Sequence, residues 1–306
     1  MPDSNIEKLL SAIIQEKPTN SKELERIKRA FARKFKTPIY SNSQIKAFLK
    51  KSPLFSSKQK NFGEKVLAIK KVRSLSGVAV VAVLTKPFPC PGKCVYCPTE
   101  KAMPKSYLSN EPAVMRAIGS DFQAYEQVWN RLKMLQTNGH STDKIELIVM
   151  GGTFSCLPRK YQTEFIQNCF RAANDFPRKK PLAPTTLVKE QKRNETAQNR
   201  IIGLTLETRP DKISSEEIRN FRRLGATRVE IGVQTIFDLI LRKNKRGHGI
   251  KSVITATRRL KEAGFKVGYH LMPGLWGSCP QKDLEIFEKI FRSEERRVGK
   301  ECRSRW

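Results

Sequence analysis

Hydrophobic positions change their period once along the chain. In residues 1–75 they recur at helical spacing. Ile6, Leu9, Leu10, Ile13 and Ile14 form one apolar stripe, and Leu24, Ile27, Phe31 and Phe35 form another on a helix that begins near Ser21. The other face of that second helix carries Lys22, Arg26, Lys28, Arg29, Arg33 and Lys34. A third short helix is predicted at 43–50. From Gly77 onward, short apolar runs alternate with amphipathic stretches. Strands are predicted at 77–85, 144–150, 200–207, 228–233 and 265–271. Helices are predicted at 121–136, 159–173, 214–224, 251–263 and 281–291. Ser214 and Glu217 have capping-box spacing, and Gly264 suits a helix end.

Strict alternation of strand and helix implies an α/β fold with a parallel sheet and right-handed crossovers. Five strands either curl into a partial (β/α) barrel or lie as a doubly wound sheet. In both, function belongs at the C-terminal strand ends. The domain reading is a basic helical region at 1–75 and a core at 76–291. Residues 178–199 are polar and basic and read as an inserted loop. Residues 292–306 lack apolar periodicity and read as a non-native tail.

Charge adds a partner class. The chain has 59 Lys and Arg against 29 Asp and Glu, a net +30, and residues 1–75 hold 18 against 6. Such a balance points to a polyanion, first nucleic acid and then an anionic membrane surface. A solvated helix face is the plain alternative for the basic stripe, and RNA-backbone binding is the functional one. The longest apolar run, 78–84, is too short to span a bilayer, and the N-terminus lacks a targeting pattern, so the sequence reads as cytoplasmic. Seven cysteines in a reducing compartment suggest thiols or metal ligands.

Three of them carry chemistry. Cys90, Cys94 and Cys97 follow the first strand with C-x3-C-x2-C spacing. Three thiolates can hold three irons of a 4Fe–4S cluster and leave the fourth iron open to a small molecule. S-adenosylmethionine (SAM) can chelate that iron, and electron transfer then yields a 5′-deoxyadenosyl radical. An electron-transfer cluster or a structural zinc site usually takes four protein ligands. Zinc completed by a distant Cys or His is the alternative, and no second paired motif follows. Cys169 reads as core, Cys156 as a packed thiol and Cys279 as a loop thiol.

The other strand ends are polar or glycine-rich. Gly151, Gly152 and Thr153 follow the second strand, where glycines let a ligand approach the backbone. Glu207 and Arg209 follow the third, Gln234 ends the fourth, a basic loop at 244–248 comes next, and His270 ends the fifth. Of these, Gly151, Gly152, Thr153, Glu207, Arg209, Gln234 and His270 are the candidate cofactor-binding residues.

The C-x3-C-x2-C loop matches the radical SAM superfamily. The run 76–83, Asn110-Glu111-Pro112, Met150-Gly151-Gly152-Thr153-Phe154, Glu207-Thr208-Arg209-Pro210, Glu230-Ile231-Gly232-Val233-Gln234 and Arg246-Gly247-His248 together resemble the catalytic subunit of Elongator, the tRNA carboxymethyluridine synthase. That resemblance implies a radical taken from the acetyl methyl of acetyl-CoA and added to carbon 5 of the wobble uridine in tRNA. It implies that Lys144 contacts acetyl-CoA, that the basic N-terminal helices bind tRNA, and that an electron donor is needed. Self-association and other complex subunits stay open. Relatives of that kind have longer spacing between the first two cysteines and a histidine where Gly92 stands. The family's C-terminal acetyltransferase-like domain is not present in these 306 residues, so a truncated form is expected. Another radical SAM reaction on RNA, or a non-catalytic RNA-binding protein with a structural metal, are the alternatives.

Overall fold

Three polar side chains start the N-terminal helices by accepting hydrogen bonds from the first-turn amides. Asn20 caps α2 (Ser21–Phe35), Ser41 caps α3 (Asn42–Lys51) and Ser56 caps α4 (Ser57–Val66). Ser41 with Gln44 and Ser56 with Gln59 make full capping boxes, which satisfy amides that have no partner within the helix. These helices follow α1 (Pro2–Glu16) in a computed structural model that describes residues 2–67, 76–178 and 180–290. The tail expected at 292–306, with Cys302, lies outside the described residues, as does the end of the N-terminal region at 68–75.

The chain divides into two compact units, one of residues 1–80 and 129–145, the other of residues 81–128 and 146–306. In the first, Leu9, Leu10 and Ile13 of α1, Leu24, Ile27 and Phe31 of α2, and Ile45 and Leu49 of α3 make one core. Gly63 lets α4 approach closely, since a Cβ there would stand 2.6 Å from Leu49 Cδ2.

The second unit holds most of the strand residues, with the first two residues of β1 and of β2 in the first unit. β1 (Ala79–Leu84), β2 (Lys144–Met150), β3 (Arg200–Thr208), β4 (Arg228–Gln234) and β5 (Lys266–Leu271) lie in the order β1-β2-β3-β4-β5. The β3–β4 and β4–β5 pairs are parallel, with Glu207 beside Glu230 and Gly232 beside His270. Each strand pairs with its sequence neighbour, so no switch point reverses the order. A doubly wound sheet needs such a reversal, and the arrangement is the α/β partial barrel.

Between the strands come α5 (Pro112–Ile118), α6 (Ala124–Thr137), α7 (Arg159–Asp175), α8 (Leu187–Asn194), α9 (Ser215–Leu224), α10 (Asp238–Lys243) and α11 (Ile250–Glu262). A last helix, α12, covers 280–290. Two expectations are corrected. The stretch 178–199 is not a plain loop, because it contains α8. Asn174, Glu190 and Asn194 are buried and bonded to one another: Asn174 Nδ2 donates to Glu190 Oε2 at 2.8 Å and Asn194 Nδ2 to Asn174 Oδ1 at 2.7 Å. A polar segment can be buried when its groups find partners. The Ser214 capping box is only half made. Ser214 accepts from the Glu217 amide, but the Glu217 carboxylate goes instead to Arg159 at 2.7 Å. Among the described residues no helix is long and apolar enough to cross a membrane.

Candidate active site at the barrel mouth

A cavity of about 610 Å³ opens at the C-terminal strand ends. Cys90, Cys94, Cys97, Gly152, Thr153, Glu207, Arg209, Gln234 and His270 all line it. Gly151 stands next to Gly152 with φ +131°, and a side chain there would collide with Thr85. Lys144 is exposed at the opposite end of β2 and does not line the cavity.

The cysteine loop is fixed from several sides. The Val95 amide donates to Asn244 O at 3.2 Å and the Cys97 amide to Cys94 O at 3.3 Å. Gly92 N donates to Cys90 Sγ at 3.4 Å, and Cys97 Sγ lies 3.0 Å from Ser106 Oγ. A Cβ on Gly92 would come within 2.5 Å of Arg209 Nη1, so a larger residue there would displace the guanidinium that crosses the loop. Cys94 faces two arginines, with Arg246 Nη1 at 3.5 Å and Arg209 Nη1 at 3.9 Å from its Sγ. Burial pushes the Cys94 thiol up, but the hydrogen bond and charge of Arg246, helped by Tyr96 and Arg209, outweigh it and hold the thiol below its usual range.

The same cavity is lined by two carboxylates whose pKa values are shifted in opposite directions. Glu207 accepts from the Tyr107 hydroxyl at 2.6 Å, and its burial raises its pKa. Glu230 pairs with His270 Nε2 at 2.8 Å; that bond lowers the Glu230 pKa and raises that of His270. Gln234 has φ +72° at a register shift between β4 and β5, and its buried Oε1 has no hydrogen-bond partner. A side chain held in the left-handed region at a site mouth is the sort of strain that sites retain.

The donor set fits an open-cornered iron–sulfur cluster. Three free thiols line one cavity, while Cys156, Cys169 and Cys279 do not. Among the described residues no fourth cysteine lines the cavity, so a closed four-cysteine zinc shell is not assembled there. The unpartnered Gln234 Oε1 and the mixed carboxylate and guanidinium lining suit a charged, amphiphilic small molecule. Cys169 is core, as its position beside Phe165 implied, whereas Cys156 is exposed rather than packed. Tyr107, Glu230 and Arg246 also line the cavity and were not among the expected site residues. Arg246 had a visible signal in the basic loop 244–248; Tyr107 had none.

Residues 89–288 match the Radical SAM superfamily. The chain belongs to the radical SAM superfamily. The family implies a 4Fe–4S cluster and SAM, which the three thiols and the cavity accommodate. Among its relatives, tRNA uridine(34) acetyltransferase of Methanocaldococcus infernus is 42% identical over 95% of this chain and 54% of its own length. The protein of the same name from Dehalococcoides mccartyi is 49% identical over 72% of this chain and 46% of its own. The solved structure of archaeal M. infernus Elp3 with an N-terminal deletion is 42% identical, with a TM-score of 0.57 over 70% of this chain and 42% of that one. The chain thus spans about half the length of the curated relatives it matches.

In the N-terminal unit, Lys22, Arg26, Arg29, Arg33 and Lys34 of α2 are exposed. Lys28 is the exception and a correction. It is 5% exposed, donating to Glu25 Oε1 at 2.8 Å and Asn42 Oδ1 at 3.0 Å, because its position lies next to the Leu24–Ile27–Phe31 stripe.

Proposed function

We propose that this chain performs a radical modification of the wobble uridine of tRNA with acetyl-CoA as co-substrate, giving a carboxymethyl group at carbon 5. The observation that carries the reading is the 42% identity across 95% of the chain with a tRNA uridine(34) acetyltransferase. At that coverage α2 and its basic face fall inside the matched stretch wherever its ends lie. When bound, the cluster and SAM supply one-electron reductive cleavage and a carbon radical that abstracts hydrogen. The chain's own residues hold and orient. Cys90, Cys94 and Cys97 hold the cluster. Gly151, Gly152, Thr153, Glu207, Arg209, Gln234 and His270 bind SAM at the strand ends. Burial pushes the Glu207 pKa up while the His270 hydrogen bond pulls that of Glu230 down, so one cavity holds two carboxylates shifted in opposite directions. Lys144, exposed at the start of β2, is assigned to acetyl-CoA by resemblance, and Lys22, Arg26, Arg29, Arg33 and Lys34 to the tRNA backbone. An electron donor completes the reaction, and the free described cysteines suit a reducing cytoplasm.

The test is anaerobic reconstitution with SAM, a reductant, acetyl-CoA and a tRNA transcript, followed by nucleoside mass spectrometry and assay of 5′-deoxyadenosine. Carboxymethylated uridine that vanishes in Cys94→Ala is expected. SAM cleavage that proceeds while the transcript stays unmodified would overturn the substrate assignment. A different adduct on the RNA would favour another radical SAM reaction.

A further inference from the structure

We infer that Arg246, with Arg209 beside it, tunes the iron–sulfur cluster by donating to the Cys94 sulfur, and so raises the potential at which the cluster accepts an electron. Both side chains are deeply buried, Arg209 at 6% and Arg246 at 7% exposure. Their surroundings differ in one respect. Arg209 has its own counter-ion, with Nε 2.9 Å from Asp211 Oδ1. The described partners of Arg246 are neutral apart from sulfur: Gly232 O at 2.7 Å, His248 Nε2 at 2.9 Å and Cys94 Sγ at 3.5 Å. A buried cation without an anion is costly and is tolerated where an anion completes it. Cys94 is the group so placed, and a cluster held by three thiolates is net negative.

The positioning is rigid. Nε and Nη2 of Arg246 are occupied by His248 and Gly232, which leaves Nη1 aimed at sulfur. Gly232 has no side chain because one would collide with the guanidinium. Arg209 Nη2 donates to Arg246 O at 2.8 Å and ties the two residues together. Hydrogen bonds and positive charge at a cluster sulfur stabilise the more negative, reduced state, and second-sphere groups of this kind are a known lever on metal sites. Arg246 is therefore a positioning and tuning residue, since it touches a ligand rather than substrate.

The inference rests on the cysteine triad holding the cluster. That premise is checked first, because wild-type protein that fails to incorporate a 4Fe–4S cluster ends the matter before any variant is compared. The experiment is redox titration of the reconstituted protein, followed by EPR of the reduced cluster, in wild type, Arg246→Gln and Arg246→Lys, with iron content and circular dichroism recorded for each. At a fixed applied potential, the ratio of reduced to oxidised cluster is expected to fall about tenfold in Arg246→Gln. That is a downward shift of about 59 mV for a one-electron couple. Arg246→Lys, which keeps the charge and loses the fork, is expected to fall between Arg246→Gln and wild type. A loaded Arg246→Gln protein with the wild-type midpoint overturns the inference. If that variant does not take up iron, Arg246→Lys carries the test, and a wild-type midpoint there overturns it.

Discussion

Tyr107 and Glu207 are 100 residues apart in sequence, yet the tyrosine hydroxyl donates to Glu207 Oε2 at 2.6 Å inside the barrel mouth. Burial already raises the Glu207 pKa, and the Tyr107 bond acts the other way. Tyr107→Phe should therefore push the Glu207 pKa further up and cost about 1–3 kcal/mol, because a buried acceptor loses its donor. Chemical denaturation of cluster-free protein at two pH values measures both effects. Unchanged stability together with an unchanged pH dependence would show that the bond contributes nothing.

The stretch expected to be a loop should prove to be a structural anchor. Asn194 donates to Asn174 Oδ1 and Asn199 O, and accepts from the Ile201 amide at 2.7 Å. Asn194→Ala leaves several buried groups unpaired and should cost about 2–4 kcal/mol. A lower urea midpoint with an unchanged slope is the expected result. A variant as stable as wild type would mean that 178–199 behaves as the loop the composition suggested.

Two histidines should titrate on opposite sides of the ordinary value of 6.5. The Glu230 hydrogen bond raises the His270 pKa, whereas burial, with Arg246 nearby, lowers that of His248 to about 4. The stabilisation from His270 is full below 6.5 and is lost as pH rises through its raised folded value. That from Glu230 is full above 4.5 and is lost as pH falls through its lowered value. The ion pair is thus complete between 4.5 and 6.5. Histidine NMR on cluster-free protein reads both residues, and Glu230→Gln should bring His270 back down. A His270 that titrates below 6.5 in wild type contradicts the pairing.

On α2 the charges should separate into two classes. Arg29 is exposed and Lys28 is buried against Glu25 and Asn42. Arg29→Ala should weaken tRNA binding across sequences and lower the salt slope by about 1. Lys28→Ala should leave that slope alone and lower stability instead, by about 1 kcal/mol. Filter binding across a salt series, with thermal melts, separates the two. Equal salt slopes for Lys28→Ala and Arg29→Ala would count against the assignment.

The strands were legible because each is an apolar run closed by glycine or polar residues. The bounds of β2 were read at 144–150 and stand there. The cysteine loop and four polar strand ends were legible for the same reason, since each sits where a parallel sheet points its C-termini. Lys28 was misread because its charge is visible in the sequence, whereas its place four residues after Leu24 and three before Phe31, which puts it on the apolar face, was overlooked. Helix α8 was missed because two of its three buried residues, Glu190 and Asn194, are polar and held by hydrogen bonds, and Leu187 alone makes no apolar period. Tyr107 comes from a loop without any sequence signal and Arg246 from a loop whose basic character alone was visible, and only the folded chain brings Tyr107 to Glu207 and Arg246 to Cys94. The Ser214 capping box was read from local spacing, and a partner in α7, Arg159, took the Glu217 side chain.

The strand order β1-β2-β3-β4-β5 has a consequence for how the protein is made. Each strand after β1 joins the one synthesised before it, so the sheet can grow at one edge as the chain emerges. The cysteine loop is translated early, directly after β1. Its arginine partners arrive much later, Arg209 115 residues and Arg246 152 residues after Cys94. During synthesis the triad therefore stands open to solvent, and to whatever delivers iron and sulfide, until the third and fourth strand ends close over it.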